Sequence, residues 1–355
     1  MASEAAVRRG GTSVGAVRVE SNPEPEAWEA YVRSHPQASL FHGLTWHRVL
    51  ERTFRGYQPC HRIAWRGGHV CGVLPLYRVP SLPFGSALVS TPHGVYGGVC
   101  ADDEEVSKAL LEEAGALARS MGARYVELRQ EQGFAGLPTK DLYVCFRQQL
   151  HANHDANMQE IPGKRRRSIR LGARRGLTEN FGHMDLVSAF YDVYTINMRH
   201  LGSPAVPRRF FQALLEEYDR QCFILGMFEE GRMVAGALCF YYRDSLMPYF
   251  ESSLPDARTG ANDLLYWSLM CHATERGVRT FDFGRSKRDS GSYHFKRHWG
   301  IEPTPLAYQY LLIAQREMPN LSPTNPKFSL AIRAWRKTPL PITRWLGPKL
   351  SPYFP

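Results

Sequence analysis

The residues best suited to chemistry lie between Thr280 and Gly300, in the segment TFDFGRSKRDSGSYHFKRHWG. The segment begins as a buried-strand pattern, Phe281-Asp282-Phe283, which Gly284 is expected to close. A polar loop with Arg285 follows, and then a run that mixes aromatic with basic side chains. Fixed cations in a pocket can grip an anionic substrate and stabilise negative charge that develops during a reaction. The composition equally fits a basic surface turn with two aromatic side chains tucked into the core.

Common catalytic and cofactor motifs are missing from the sequence. It contains no G-x-S-x-G elbow, no H-E-x-x-H, no Walker loop and no dinucleotide fingerprint. His294 and His298 have the spacing of helical metal ligands, but Lys296 and Arg297 between them would repel a cation. We therefore expect no metal site.

Length and composition indicate a soluble globular protein of two domains or one large one. The chain has 355 residues, of which 43% are hydrophobic and 22% are charged. Lys and Arg number 44 against 34 Asp and Glu, which gives a formal charge of +10. This excess favours acidic partners, such as phosphorylated sugars, nucleotides, RNA or an anionic membrane surface, without choosing among them.

Cysteine usage and hydropathy predict a cytoplasmic protein. The seven cysteines are odd in number and include no C-x-x-C pair, which favours buried thiols in a reducing compartment. The N-terminal stretch has no apolar core of a secretory signal. No run of about 20 apolar residues is present, so no membrane-spanning helix is expected.

Two similar hairpin patterns indicate an internal duplication. IAWRGGHVCGVLPLY turns at Gly67-Gly68, and MFEEGRMVAGALCFY turns around Glu230-Gly231. An amphipathic helix follows each hairpin, at about 103–121 and 261–276, and a further strand follows each helix. Strands in a meander followed by a helix and a strand predict a mixed α/β sheet, here present twice.

The duplication sets the predicted domain bounds. They are a disordered N-terminus at 1–16, a first domain at 17–155, a second domain at 156–315, and a basic, proline-rich C-terminal tail at 316–355. The segment GKRRRSIRLGARRG at the entry to the second domain is the most basic and is predicted to be a helix. It is compatible with a nucleic-acid patch, with a phosphate-binding helix over a cleft, and with a solvated basic helix.

The tail contains the sequence KFSLAIRAWRKTPLPITRWLGPKL. Phe328, Ile332 and Trp335 fall on one helical face, and Arg333 and Arg336 lie beside it. This pattern resembles an interfacial segment at an anionic membrane. The alternative is a tail that packs on its own domain.

The duplicated unit resembles the acyltransferase fold of the acetyl-CoA-dependent N-acetyltransferases, the GNAT fold. In that family a Q/R-x-x-G-x-G/A turn holds the pyrophosphate of coenzyme A at a helix N-terminus. The corresponding place here reads FESSLPDARTGANDLLYW, a degenerate match. The resemblance makes Arg258 and Gly260 weak candidates for cofactor binding, to be considered only if coenzyme A is used.

Over most of residues 35–315 the chain resembles the FemAB-type aminoacyl or peptidyl transferases, which carry two such domains. The segments that carry the resemblance are SLFHGLTWHRVL, STPHGVYGGV, GKRRRSIRLGARRG, MRHLGSPAVPRRFF, ANDLLYWSLM and FDFGRSKRDSGSYHFKRHWG. MRHLGSP and the tail look closer to a subgroup associated with exosortase and exopolysaccharide loci. The resemblance implies two tandem GNAT-like domains with mixed sheets. It also implies transfer of an aminoacyl or peptidyl group to an amine of a cell-envelope precursor, such as a peptidoglycan or exopolysaccharide intermediate.

The resemblance further implies roles for individual residues. Lys296, in the pattern G-x-Y-x-F-K, is the strongest catalytic candidate, because a fixed ammonium group can stabilise the oxyanion formed when an amine attacks an ester or thioester. Candidates for binding substrate are Arg167, Arg170 and Arg285 for phosphate, and Trp46, Tyr96 and Tyr293 for the acceptor pocket. The sequence identifies no general base.

The donor and the partners follow from the same resemblance. No cofactor is required, and the donor is aminoacyl-tRNA or, in the alternative, acyl-CoA. The long coiled-coil insertion that some family members use for tRNA is missing between Met158 and Asp185, which weakens tRNA as the donor.

The expected partners are an anionic envelope precursor, charged tRNA, and an anionic membrane surface contacted by the tail, with no DNA. The tail contact would place the protein on the inner face of the cytoplasmic membrane. Two other functions stay open: an acyl-CoA-dependent N-acyltransferase of a sugar or polysaccharide, and a non-catalytic scaffold at the membrane for polysaccharide assembly.

Overall fold

The computed structural model describes residues 15–21, 23–81, 85–257, 260–319 and 326–355, without the side chains of 326–328. The predicted disordered N-terminus therefore lies almost wholly outside the described residues, and so does Arg258.

The first half of the chain holds two N-terminal helices, a hairpin, and a long helix between strands. Its elements are β1 (Arg18–Ser21), α1 (Pro25–Ser34), α2 (Leu44–Thr53), β2 (Gln58–Pro59), β3 (Arg62–Arg66), β4 (His69–Leu74), β5 (Tyr77–Pro80), β6 (Ser86–Val89), β7 (Cys100–Ala101), α3 (Glu104–Ser120), β8 (Tyr125–Gln130), β9 (Thr139–Lys140) and β10 (Tyr143–Gln149).

The second half follows a similar order, and the tail adds two helices. Its elements are α4 (His154–Glu160), α5 (Gly163–Arg174), β11 (Thr178–Gly182), α6 (Val187–Leu201), α7 (Arg208–Tyr218), β12 (Cys222–Glu229), β13 (Arg232–Tyr242), β14 (Ser245–Ser253), α8 (Ala261–Glu275), β15 (Thr280–Lys287), α9 (Gly291–Arg297), β16 (Thr304–Pro305), β17 (Ala307–Leu312), α10 (Pro326–Lys337) and α11 (Leu340–Leu350).

The predicted helices after the two hairpins form as expected. Asp103 caps α3, because its carboxylate accepts a hydrogen bond from the backbone N–H of Val106. Gly260 precedes α8 in a left-handed conformation, with φ +101°. The basic segment forms α5, and Gly176, also left-handed, follows its end.

The two halves exchange strands. Within the described residues the strands form sheets in the orders β1-β3-β4-β7, β2-β5-β6-β8-β17-β9 and β11-β12-β13-β14-β15-β10-β16. Strand β10, from the first half, pairs with β15, and β17, from the second half, pairs with β8. Strand β10 thus lies before the predicted boundary near residue 155, whereas its partner β15 lies after it.

Among the described strands, each half contains one parallel pair, and its two strands soon separate. Strands β6 and β8 pair only at Leu88 with Val126 and at the next residue of each strand. Strands β14 and β15 likewise pair in parallel only at their first residues, Ser245 with Thr280 and the next pair. Beyond these short ladders the strands diverge, which leaves room for side chains and a ligand between β14 and β15.

The core joins the halves into one packed unit. The largest apolar cluster includes Trp46 and Phe54 of the first half together with Phe210 and Phe240 of the second. Helices α2 and α7 face each other across this junction, where Arg52 pairs with two glutamates of α7. All seven cysteines, each of which the structure describes, are free.

The C-terminal helices pack on the second half and return to the first. Trp335 of α10 donates its indole N–H to the carbonyl oxygen of Ser203, 3.1 Å away. Arg344 of α11 lies 2.7 Å from the carboxylate of Asp192 on α6. The last residues then reach the first half, where the Tyr57 hydroxyl donates to the carbonyl oxygen of Pro352 at 3.1 Å.

Candidate active site between the two halves

A β-bulge shapes the strand that carries the most informative segment. The sequence predicted that this strand ends at Gly284, but β15 continues to Lys287. Cys145 pairs with Arg285 and Arg147 with Asp282, so two residues of β15 face one residue of β10. Gly284 has φ +71°, which explains why glycine stands at the bulge rather than at a strand end.

The bulge also positions the side chain of Lys296. The Asp282 carboxylate accepts a hydrogen bond of 2.8 Å from the backbone N–H of Gly284. The carbonyl oxygen of Phe283, at the same bulge, accepts a hydrogen bond of 2.5 Å from the Lys296 ammonium group. Lys296 is only 4% exposed. Bulges that re-aim groups in this way are common next to active sites.

The aromatic residues of the segment anchor α9 to the core. Phe295 and Trp299 pack against Tyr266 of α8, with ring centroids 5.3 and 5.8 Å apart. Ser290 caps α9 by accepting a hydrogen bond from the backbone N–H of Tyr293. Both interpretations of the aromatic–basic segment therefore hold in part, since its aromatic side chains are core anchors while Lys296 turns into a cavity.

This cavity, named here the interdomain cavity, has a volume of about 580 Å³ and is lined by both halves and the tail. That volume suits a small-molecule site. Its described lining includes five cationic side chains against two acidic ones, Glu127 and Glu251. The cationic residues are Arg129, Lys140, Arg285, Lys287 and Lys296. The excess of positive charge favours an anionic ligand.

Glu251 is the residue in the interdomain cavity that the sequence could not single out. It lies on β14, on the opposite side of the gap from the bulge, and its Oε2 atom is buried without a hydrogen-bond partner. Burial raises the pKa of Glu251, and the nearby Lys296 opposes that rise. Burial also lowers the pKa of Lys296, opposed by Glu251 and Asp282. A buried carboxylate whose pKa is raised is a candidate general base, and a buried ammonium group in the same cavity is a candidate for stabilising negative charge.

Arg285 lies in the interdomain cavity, as a phosphate-binding residue would. Its guanidinium group donates to the Tyr308 hydroxyl at 2.8 Å and lies 4.6 Å from the centre of the Tyr143 ring. Aromatic faces hold the cation in place without neutralising its charge.

Tyr96 lines a second cavity between the halves, which has a volume of about 690 Å³ and does not include Lys296 in its lining. Its hydroxyl lies 3.0 and 3.1 Å from the two carboxylate oxygens of Asp282. Arg147 stacks over the Tyr96 ring, donates to Asp282 at 3.0 Å, and pairs with both oxygens of Glu131. The polar atoms of this network are hydrogen-bonded to one another, so Tyr96 holds Asp282 of β15 in place rather than contacting a substrate.

The other predicted substrate contacts lie away from both cavities. Trp46 is completely buried, with its ring 4.8 Å from that of Phe41, and is a core residue. Tyr293 is half-buried and does not line either cavity. Arg167 and Arg170 are exposed on α5, also outside both linings.

Helix α5 packs tightly against the start of α8, where the weak coenzyme A motif was predicted. A Cβ atom at Gly260 would meet the carbonyl oxygen of Ser168 at 2.6 Å and the backbone N of Gly172 at 2.8 Å. Asp263, in the first turn of α8, is paired with Arg165 at 3.1 Å. The backbone of α5 therefore lies directly against Gly260, and an ion pair to α5 stands in the first turn of α8.

A cluster that resembles a nucleophile site lies in the first half. The Cys100 sulfur is 3.1 Å from Nδ1 of His35, and Nε2 of His35 is 3.8 Å from Asp102. Burial raises the pKa of Cys100 to about 12, and the residue is 1% exposed. Because the thiolate is the reactive form, this cysteine is a structural one.

Comparison with known proteins agrees with this geometry. Residues 163–297 match the family model described as an acetyltransferase (GNAT) domain. The crystal structure of FemX is similar with a TM-score of 0.64, at 16% identity, over 89% of this chain and 100% of that one. The structure of L-PGS from Bacillus licheniformis is similar with a TM-score of 0.54 at 16% identity, over 89% of this chain and 98% of that one.

A third structure shows the tandem arrangement. A tandem GNAT protein from the clavulanic acid biosynthesis pathway is similar with a TM-score of 0.52 at 12% identity, over 85% of this chain and 100% of that one. The fold consists of two tandem GNAT-like domains with mixed sheets. No curated protein matches the sequence of this chain.

The comparisons confirm the predicted fold class, and the GNAT match to the second half confirms an acyltransferase at the level of the enzyme class. The likeness in fold to FemX agrees with the resemblance to the FemAB-type family. Membership of the exosortase-associated subgroup stays a prediction.

Proposed function

We propose that this protein transfers an aminoacyl or peptidyl group to an amine on an anionic cell-envelope precursor, such as a peptidoglycan or exopolysaccharide intermediate. The observation that carries the proposal is the presence, in one cationic cavity, of the buried Lys296 ammonium group and of Glu251, whose buried Oε2 atom lacks a hydrogen-bond partner. An N-acyltransferase needs one group to stabilise an oxyanion and another to accept a proton.

The reaction would proceed through a tetrahedral intermediate. The acceptor amine attacks the carbonyl carbon of the donor, a C–N bond forms, and Glu251 accepts a proton from the nitrogen. The carbonyl electron pair moves onto oxygen, and Lys296 stabilises the resulting negative charge. The intermediate then collapses, the C–O or C–S bond to the donor breaks, and the leaving group takes the proton from Glu251.

The donor is proposed to be an aminoacyl ester, with aminoacyl-tRNA preferred over acyl-CoA. The close contact of α5 with Gly260 and the Arg165–Asp263 ion pair support this preference, because they leave little space on one side of the helix start where the GNAT fold would bind pyrophosphate. The exposed cations Arg167 and Arg170 on the same helix would then contact the phosphates of the carrier.

We further propose that the protein lies on the inner face of the cytoplasmic membrane through its C-terminal helices. None of the helices in the described part of the chain has the length and apolar character needed to cross a bilayer. The outer side of the two helices exposes Leu330 at 72%, Ile342 at 48% and Trp345 at 64%. The cations Arg333, Arg336 and Lys337 lie close to these residues in the sequence, a combination that suits an anionic lipid surface.

The experiment that tests the proposed function is mass spectrometry of envelope precursors from cells that lack the protein. We expect a precursor with a free amine to accumulate, and the wild-type gene to restore its acylated form. Lys296→Ala and Lys296→Met should both fail to restore it, whereas Lys164→Ala, on the exposed start of α5, should restore it. An unchanged precursor profile in the deletion strain would refute the proposal.

A further inference from the structure

Strand β15 separates the two cavities, and one of its carboxylates faces the second cavity. Asp282 is part of the described lining of the second cavity, whereas Gly284 and Lys296 line the interdomain cavity. Asp282 is 6% exposed. Its carboxylate accepts hydrogen bonds from the Tyr96 hydroxyl and, at 3.0 Å, from Nε of Arg147. Because a buried carboxylate is costly unless it is hydrogen-bonded, these donors hold the side chain in one position.

These two donors come from the first half of the chain. Arg147 lies on β10, directly opposite Asp282 in the pairing of β10 with β15. Tyr96 lies between β6 and β7. Glu131, the residue after β8, holds the guanidinium group of Arg147 through both carboxylate oxygens, at 2.5 and 2.9 Å. The exchange of β10 therefore brings a charged pair from the first half to a strand of the second half.

A single peptide group links Asp282 to Lys296. The backbone N–H of Gly284 donates to Asp282 at 2.8 Å, and the carbonyl oxygen of Phe283 accepts from the Lys296 ammonium group at 2.5 Å. That N–H and that carbonyl belong to the same peptide group, which is planar, so they point in opposite directions. When Asp282 holds the N–H on the side of the second cavity, the carbonyl oxygen is aimed at Lys296. The hydrogen bond at the N–H also polarises the carbonyl and makes it a better acceptor.

Asp282 also acts on Lys296 through its charge. Burial lowers the pKa of Lys296, whereas Glu251 and then Asp282 raise it. Arg285 adds a smaller lowering of this pKa, and Cys145 of β10 adds a smaller rise. The ammonium form of Lys296, which stabilisation of an oxyanion requires, is therefore favoured by carboxylates on two strands, β14 and β15.

We propose that Asp282 is a positioning residue for Lys296, and that the first half of the chain fixes Asp282 through Tyr96 and Arg147. Asp282 orients the peptide group whose carbonyl oxygen holds the ammonium group, and its negative charge stabilises the cation. The inference rests on the proposed function, since it concerns the group that stabilises the oxyanion there. It gives the first half a part in catalysis that requires no contact with substrate.

The first test uses two variants that should shift the pKa of Lys296 in opposite directions. Asp282→Asn keeps an oxygen that can accept from Gly284 but removes the charge, so this pKa should fall by about half a pH unit or more. Arg147→Gln removes the cation that offsets the charge of Asp282, so the pKa of Lys296 should rise. NMR titration of the full chain with ¹³C-labelled lysine side chains measures both, and the signal missing from Lys296→Met identifies Lys296. Shifts of the same sign would overturn the proposal.

The matched control is Asp263→Asn. Asp263 is another buried aspartate, paired with Arg165 at 3.1 Å, and is not part of the described lining of either cavity. This variant should lower the melting temperature and leave the NMR titration of Lys296 unchanged. If Asp282→Asn also leaves the titration of Lys296 unchanged, Asp282 only stabilises the fold and the proposal fails.

Tyr96→Phe tests the contribution of the first half. It removes one donor to Asp282 and keeps the charge, so kcat for transfer should fall at least about threefold while KM stays unchanged. Combined with Asp282→Asn it should cause no further loss, because both substitutions act through the same carboxylate. Full kcat in Tyr96→Phe, or losses that multiply in the double variant, would contradict this part of the proposal.

The NMR titrations do not need turnover, so they separate this inference from the proposed function. Opposite pKa shifts at Lys296 together with an unchanged precursor profile in the deletion strain would refute the proposed function alone. Accumulation of a precursor with a free amine, together with a titration of Lys296 that Asp282→Asn does not change, would refute only this inference.

Discussion

The ammonium group of Lys296 is tied to the carbonyl oxygen of Phe283 by a hydrogen bond of 2.5 Å, across the bulge at Gly284. A bulged strand and a short helix thus hold one cation at the wall of the interdomain cavity. Because the aromatic side chains around Lys296 fix α9, the ammonium group would need little rearrangement when negative charge develops on a substrate.

Replacing Lys296 with methionine should abolish transfer and spare the fold. Removing one preorganised oxyanion donor typically costs about a hundredfold or more in rate. Methionine keeps the apolar contacts of the long side chain, so the melting temperature should stay within a few degrees of the wild type. Complementation of the deletion strain, followed by precursor mass spectrometry and thermal unfolding, measures both effects. Full restoration of the acylated precursor would exclude Lys296 from catalysis.

The pH dependence of transfer should report Glu251 and Lys296 together. The reaction needs the carboxylate form of Glu251, whose pKa burial raises above 4.5, so the rate should fall on the acidic side before that pH is reached. It also needs the ammonium form of Lys296, whose pKa burial lowers below 10.5, so the rate should fall on the alkaline side before that pH.

Glu251→Gln tests the acidic side of this profile. The variant should lose about a hundredfold or more in kcat/KM and should no longer show the acidic fall. The alkaline fall should persist. A profile with the same acidic limb in Glu251→Gln would assign that limb to another group.

The sequence predicted the repeated elements because their patterns are local. Helix α3 has apolar spacing and an aspartate cap, and the hairpins turn at glycines that adopt positive φ, such as Gly68 and Gly231. The exchange of β10 and β17 was not predictable in the same way. Which sheet a strand joins is decided by long-range pairing, which no local pattern records.

The candidate site was predicted in part for the same reason. Lys296 and Arg285 belong to one segment with a distinctive composition. Glu251 lies on a different strand, and only the divergence of β14 from β15 brings it to the same cavity. Trp46 was predicted to line the acceptor pocket but is completely buried in the core. An aromatic residue that packs in a core and one that lines a pocket look alike in sequence.

The contact of α5 with α8 should depend on glycine at position 172. A Cβ atom there would meet the carbonyl oxygen of Gly260 at 2.8 Å. Overpacking against backbone costs about 1–3 kcal/mol, while alanine gains about 0.5–1 kcal/mol in helix propensity. Gly172→Ala should therefore lower the free energy of unfolding. Gly56→Ala, where a Cβ atom meets nothing within 4 Å, is the control. Urea unfolding measures both, and a more stable Gly172→Ala would show that the helices move apart freely.

Buried histidines should make the fold sensitive to acid. His47 is 3% exposed, both of its ring nitrogens lack hydrogen-bond partners, and its ring stacks 4.0 Å from that of His61. Burial, and then His61, lower the pKa of His47 well below 6.5. The unfolded chain binds a proton at His47 more readily than the folded chain does. The folded state therefore keeps its full free energy of unfolding above pH 6.5 as far as His47 is concerned. Below pH 6.5 this free energy falls, by up to about 1.4 kcal/mol per pH unit.

His47→Leu should make the loss of stability between pH 6.5 and 5 less steep. It removes a titrating group and two unpartnered polar atoms from the core, so it should also stabilise the protein at neutral pH. Urea unfolding at several pH values gives the slopes, with His69→Gln on the exposed hairpin as the control. Identical slopes for His47→Leu and the wild type would mean that other groups cause the acid loss.

The C-terminal helices should bind anionic vesicles through their exposed apolar residues. Trp345 and Ile342 are exposed by 64% and 48%, and the Lys349 ammonium group lies 3.6 Å from the centre of the Trp345 ring. Each basic residue near an anionic surface adds about 1 kcal/mol, an attraction that salt screens. Co-sedimentation with phosphatidylglycerol vesicles should therefore weaken at high salt.

Co-sedimentation should fall at least tenfold in the double variant Ile342→Ser with Trp345→Ser, because the apolar anchors are lost while the charges stay. Met184→Ser removes another exposed apolar side chain, outside the tail, and should leave sedimentation unchanged. Equal sedimentation of the double variant and the wild type would show that these helices serve only to line the interdomain cavity.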